Sequence, residues 1–170
     1  MLIFFLINIV YAFPITGAYF GIFDSAYTET MKVNETIPWF MFNRIYIPFA
    51  TITEDGLLAN INPQDDIKIK KIVSEYRKYN SYGECLITTN YDGETDRNYL
   101  NASKHAPLFC QSAIKYMQYY GLDGLDLDWE TVNINAYAKN LVTLLRTCKE
   151  LFSIKYKLTH TILPRIHSPK

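Results

Sequence analysis

From Gly124 to Glu130 the chain reads GLDLDWE, with acidic and apolar residues taking turns at successive positions. Extended backbone throws successive side chains to opposite faces, which puts Asp126, Asp128 and Glu130 on one side and Leu125, Leu127 and Trp129 on the other. A helix would scatter both sets around its axis. The segment is therefore read as a strand whose apolar face is covered by other elements. Same-face neighbours in a strand lie about 7 Å apart, close enough for like charges to compete for protons. One of the three acids is expected to keep its proton, and Glu130, at the carboxyl end of the row, is the candidate. A calcium loop is excluded: counted from Asp126, the sixth residue is Thr131, where an EF-hand needs glycine. An acidic edge strand facing water fits poorly with the helices expected on both sides.

Those helices come from the rest of the pattern. AYFGIF (18–23) and RIYIPFATI (44–52) read as strands, the second with Pro48 at an irregularity or a strand end. A helix follows with Asn62 as cap, Pro63 at its first position, acids in its first turn and Ile69, Ile72, Val73 and Tyr76 on one face. ECLITT (84–89) reads as a buried strand and NYDGETDRNY (90–99) as a polar loop. A second helix is expected from about Ala106 to Tyr120, with Phe109, Ala113, Ile114 and Met117 inward and a stop at Gly121. After the acidic strand, Tyr137, Leu141, Leu144, Leu145 and Cys148 recur at helical spacing, and KLTHTILP (157–164) returns as a strand. Alternation of this kind demands parallel strands joined by helical crossovers, so the class is α/β, either a doubly wound sheet or part of a (β/α)8 barrel.

With 170 residues, 49% of them apolar, the chain can bury a core as one domain. Its 17 basic and 17 acidic residues cancel, which argues against nucleic acid or an anionic membrane as partner. Residues 1–12, apolar from Leu2 to Val10 and ending in the small pair Val10 and Ala12, read as a signal peptide, with a buried first strand as the alternative. Secretion is therefore expected, with residues 13–170 as the mature domain and no membrane segment within it. Asn34 and Asn101 open acceptor sequons that an exported chain would make usable. Cys85, Cys110 and Cys148 lack metal-ligand spacing and do not cluster with His105, His160 or His167, so no metal is expected. Three buried thiols are the favoured reading, a bonded pair and one free thiol the other. Trp39 reads as core rather than as a sugar platform.

A proton held on one carboxyl beside others is what general acid catalysis of glycosidic bond cleavage needs. Here the residues carry a resemblance. DGLDLDWE, with Asp123, Gly124, Asp126, Asp128 and Glu130 at its specified positions, resembles the Asp-Gly-x-Asp-x-Asp-x-Glu signature on the fourth barrel strand of the family 18 glycoside hydrolases, the chitinases and their relatives. The flanking segments resemble that family's first to fifth strands in order. The resemblance implies a partial TIM (β/α)8 barrel and a retaining mechanism in which the substrate's acetamido group is the nucleophile, an exception to the two-carboxylate scheme. It implies Glu130 as the acid, Asp128 orienting the acetamide and Asp126 sharing a proton with Asp128, with Asp123 and Gly124 structural. Trp129, Tyr91 and Tyr46 are candidate sugar contacts. No cofactor is implied. The implied ligand is chitin or another oligosaccharide containing N-acetylglucosamine, with the core sugars of N-glycans as a variant substrate and a non-catalytic, chitinase-like lectin as the other class.

The sequence departs from the family in two places. TTNY (88–91) stands where the family has Ser-x-Gly-Gly, so Asn90 and Tyr91 are expected to crowd the place where glycines let substrate approach. The strand-six Met-x-Tyr-Asp and strand-eight Trp have no counterpart after Met117 and Trp129. A truncated catalytic domain is expected, its fifth barrel strand an exposed edge through which copies can associate.

Overall fold

The computed structural model describes residues 14–21, 37–89, 95–129 and 134–161. The leader 1–12, Asn34, Tyr91 and Glu130 lie outside them.

Alternation of strand and helix produces a sheet with the order β1-β2-β4-β5-β6. Its strands are β1 (Gly17–Tyr19), β2 (Arg44–Ile52), β4 (Glu84–Thr89), β5 (Gly124–Leu127) and β6 (Lys157–His160). All four pairings along that order are parallel. Four helices make the crossovers: α1 (Asp65–Tyr79), α2 (Thr95–Lys104), α3 (Ala106–Tyr120) and α4 (Ile134–Phe152). Parallel neighbours need such crossovers because their ends lie at opposite sides of the sheet.

Strand alternation then sorts the side chains. Ile45, Ile47, Cys85, Ile87, Leu125 and Leu127 are fully buried on the outer face, in one cluster with Ile69, Phe109, Ala113, Met117, Leu144 and Phe152 of the helices. Each large apolar side chain so buried is worth about 1.5–3 kcal/mol. Tyr76 is also fully buried and donates to the Phe42 carbonyl at 2.7 Å, while burial pushes its phenol up to about 12. Trp39 is core, packed on Phe20 and Tyr76.

Expected and observed elements coincide at β2, β4 and α3, and α3 stops at Gly121 in the left-handed region (φ 68°). At Pro48 the register of β2 against β4 shifts. Three expectations need correction. Helix α1 starts at Asp65, not at Pro63, because the Asp65 carboxylate accepts the Asn62 N–H at 2.8 Å and closes a turn over the preceding residues. The stretch read as a polar loop becomes helix from Thr95 onward. Tertiary contacts hold it there: Tyr99 and Ala102 are fully buried, and the Asn98 and Asn101 amides donate to the carbonyls of Ile52 and Glu54. The Asn101 sequon is thus part of a helix whose Ser103 is buried. A short strand, β3 (Leu58–Asn60), pairs antiparallel with the end of β2 and carried no sequence signal.

The third correction concerns the cysteines. Cys110 of α3 and Cys148 of α4 form a disulfide, and only Cys85 is a free thiol. Helical spacing places each cysteine on the buried stripe of its own helix, but which stripes face each other is decided by packing. Burial pushes the Cys85 thiol up to about 12, so it stays protonated and unreactive at neutral pH. A thiol reagent such as DTNB at pH 8 is expected to label no cysteine in the native chain and one per chain after denaturation without reductant. Three after denaturation would contradict the disulfide.

Candidate active site

The inner face of the sheet is layered. Register aligns Arg44 with Glu84, then Tyr19, Tyr46, Leu86, Gly124 and Lys157, then Pro48, Thr88, Asp126 and Thr159. The lowest layer is an ion pair: Arg44, 8% exposed, donates from Nε to Glu84 at 2.8 Å, and Lys157 lies 3.5 Å from the same carboxylate.

The first acid of the signature is held at the entry of β5. Asp123 accepts the Cys85 N–H at 2.7 Å through Oδ2, which also pairs with the Arg77 guanidinium. Its own N–H donates to the Cys85 carbonyl at 2.8 Å, so one residue ties the entry of β5 to β4. Gly124 is required by close approach: a Cβ there would stand 2.6 Å from the Lys157 carbonyl oxygen and 2.8 Å from the Lys157 Cβ. Any side chain would push β6 away.

Asp126 points into the interior and is 2% exposed. Four hydroxyls surround its carboxylate: Thr159 donates to Oδ1 at 2.5 Å, and Thr161, Tyr19 and Thr88 donate to Oδ2 at 3.1, 3.3 and 3.3 Å. The Tyr19 phenol is pushed up to about 12, chiefly by burial and further by the Asp126 charge. Asp128 follows β5, half-buried, and its N–H donates to Thr89 Oγ1 at 3.0 Å. Thr89 also hydrogen-bonds the Tyr99 hydroxyl, whose pKa burial raises. Adjacent threonines of β4 thus serve the two acids from opposite faces, Thr88 through the Asp126 carboxylate and Thr89 through the main chain.

Trp129 is not a sugar contact in this structure. The odd-numbered face of β5 points to the helices, and Trp129 follows it, 1% exposed, its ring 4.8 Å from Tyr99 and 5.8 Å from Tyr137. Its indole N–H donates to Asp96 at 2.6 Å. Trp129→Ala is expected to cost about 3–5 kcal/mol of stability, read from urea denaturation, as for other buried tryptophans. Tyr46 is also placed differently from expectation. It lies one layer toward the amino ends, its ring stacked at 4.8 Å under Tyr19 and its hydroxyl accepting from Arg44 at 3.3 Å, so it supports Tyr19. Sequence reasoning passed over Tyr19, Thr159 and Thr161. The signal for the threonines was their same-parity spacing in KLTHT, matching that of the acids.

Parallel strands wound with helical crossovers, with Asp126 on the inner face of the fourth, define the α/β-barrel class, here as five successive barrel strands. Over residues 17–168 the sequence matches the profile of the glycosyl hydrolases family 18, and the chain belongs to that family. Chitinase 1 of Aphanocladium album is 34% identical over 64 residues, 36% of this chain and 15% of that protein. The fold superposes on a class V chitinase from Nicotiana tobaccum in complex with NAG4, with a TM-score of 0.73, 19% identity and coverage of 86% of this chain and 43% of that one. A chitinase-like agglutinin from Robinia pseudoacacia gives a TM-score of 0.70 at 18% identity, covering 86% of this chain and 46% of its own. The chain therefore spans less than half the length of each of these relatives.

Proposed function

We propose that the chain hydrolyses β-1,4-linked N-acetylglucosamine polymers, chitin or its oligosaccharides, by a retaining, substrate-assisted mechanism. Glu130 gives its proton to the glycosidic oxygen while the substrate's acetamido oxygen attacks the anomeric carbon, so the bond to the leaving sugar breaks as an oxazolinium ion forms. Asp128 accepts the acetamide N–H and Asp126 shares a proton with Asp128. Water then attacks the anomeric carbon, the oxazolinium ring opens, and Glu130 recovers its proton from that water. The observation that carries this reading is the buried Asp126 on the inner face of the fourth parallel strand, with Asp128 two residues further along the chain, in a protein matched to family 18. The tetrasaccharide complex of the tobacco chitinase supports the substrate class. Tyr91, which follows β4 in the sequence, is the proposed sugar contact.

The likeness to the agglutinin favours a second reading, carbohydrate binding without turnover. Release of fluorophore from a chitobiose glycoside, with binding of chitotetraose followed by calorimetry, separates the two. Product supports hydrolysis, binding without product supports the lectin reading, and neither removes both.

We also propose export from the cell, supported by the apolar leader and by the Cys110–Cys148 disulfide, since such bonds persist in oxidising compartments. Self-association through the sheet edges belongs to the same proposal: among the described residues β6 pairs only with β5, and β1 only with β2.

A further inference from the structure

The end of α3 carries Tyr116, Tyr119 and Tyr120, a spacing that gathers all three on one flank of the helix. With β3 they line a groove of about 550 Å³, to which Leu57 and Ala59 add apolar surface. The groove lies beside the crossovers that serve β2, β4 and β5, away from the sheet edges at β1 and β6. One hydrogen-bonded chain fixes its aromatic wall. Tyr116 donates to Asn60 Oδ1 at 2.5 Å, Asn60 Nδ2 donates to the Tyr120 hydroxyl at 2.7 Å, and Tyr120 donates to Asp66 Oδ1 at 3.0 Å. Lys70 then links Asp66 Oδ2, at 2.9 Å, to the Tyr119 hydroxyl at 2.7 Å. Tyr120 is buried and braces both neighbours, its ring 4.7 Å from that of Tyr116 and 4.8 Å from that of Tyr119. Tyr119 is nonetheless 62% exposed. An exposed ring held at both ends has little rotamer freedom left to lose, so packing a ligand against it costs little ordering entropy.

We infer that this groove is a second saccharide site, taking an uncharged N-acetylglucosamine oligomer on the flank of the barrel, outside the acidic cleft. Charge and polarity select that class. Asp66 and Lys70 compensate each other, and Lys115 is the one charged residue in the lining, so a strongly charged ligand meets no matching pattern. A sugar ring instead presents an apolar face of C–H bonds to tyrosine rings and polar groups around its rim. A carboxamide has two N–H donors and two acceptor lone pairs. Asn60 spends one of each on the tyrosines, which leaves one of each to pair with an acetamide of the sugar. The choice of sugar rests on the proposed substrate class, whereas the site itself needs no turnover. A polymer held here would raise its own effective concentration at the cleft.

The test titrates chitotetraose into the whole chain carrying Glu130→Gln, with tyrosine rings isotopically labelled and their resonances assigned with Tyr116→Phe and Tyr119→Phe. Both signals are expected to move saturably. Adding Tyr119→Ala is expected to weaken the Kd read at Tyr116 by about tenfold or more, as truncation of an aromatic anchor does, with the urea midpoint unchanged because the side chain is exposed. Tyr119→Phe, which keeps the ring and loses the hydroxyl held by Lys70, is expected to bind more tightly than the alanine variant. Groove signals indifferent to about 10 mM chitotetraose, which fills a millimolar site to roughly nine-tenths, overturn the inference. If calorimetry still shows binding in that case, the inference falls alone; if it shows none, the proposed substrate class falls with it. A Tyr116 response that Tyr119→Ala leaves intact also overturns the inference, since it would trace the response to the acidic cleft.

Discussion

Glu130→Gln is expected to lower the cleavage of chitotetraose by about 10²–10⁴-fold, the usual worth of one positioned general acid. The substitution keeps length and polarity and removes only the transferable proton. Oxazolinium formation needs that proton because an alkoxide is a poor leaving group. Asp126 and Asp128, whose proposed tasks are to orient and neutralise, do not replace it. Chitotetraose affinity, by contrast, is expected to persist in the variant, since ground-state contacts are spread along the sugar chain. A variant as active as the wild type would remove Glu130 from its proposed role, and a wild type that binds without turnover would leave the agglutinin-like reading.

Removing the Cys110–Cys148 disulfide is the second large effect. The bond closes a loop with a sequence separation of 38, for which chain entropy gives a stabilisation of about 4 kcal/mol, between the values for 15- and 100-residue loops. For a chain of this size that corresponds to a fall in Tm of about 8–15 °C. Cys110→Ala/Cys148→Ala, compared with the wild type with and without reductant, is the measurement. Oxidised protein is expected to be the outlier, with the reduced wild type and the variant melting close together. Both cysteines are fully buried between α3 and α4, so some of the variant's loss will come from the space left in the core. Equal melting of oxidised and reduced wild type would show that the crosslink contributes nothing to stability.

Legibility followed the range of the interactions. Strands β2 and β4 and helix α3 were readable because each carries a complete local signal: a run of β-branched and apolar residues, or a periodic face ended by glycine. Helix α2 was unreadable because Asn98, Asn101 and Asp96 look like loop residues until the Ile52 and Glu54 carbonyls are there to accept from the two amides and the Trp129 indole is there to donate to the Asp96 carboxylate. The same rule divides the site. Asp126 was recognised from its own strand. Tyr19, Thr159 and Thr161, 107, 33 and 35 residues away in sequence, became its partners only when the sheet curved far enough to bring both of its edges to one carboxylate.

What the sequence determined alone was the parity of the acidic strand, the strand and helix alternation that requires parallel pairing, and the family signature. These depend on fixed backbone periods and on residues close in the chain. The tertiary structure decided which two cysteines pair and which hydroxyls hold Asp126. Those choices depend on the register between strands and on the facing of helices, set by packing between segments far apart in sequence.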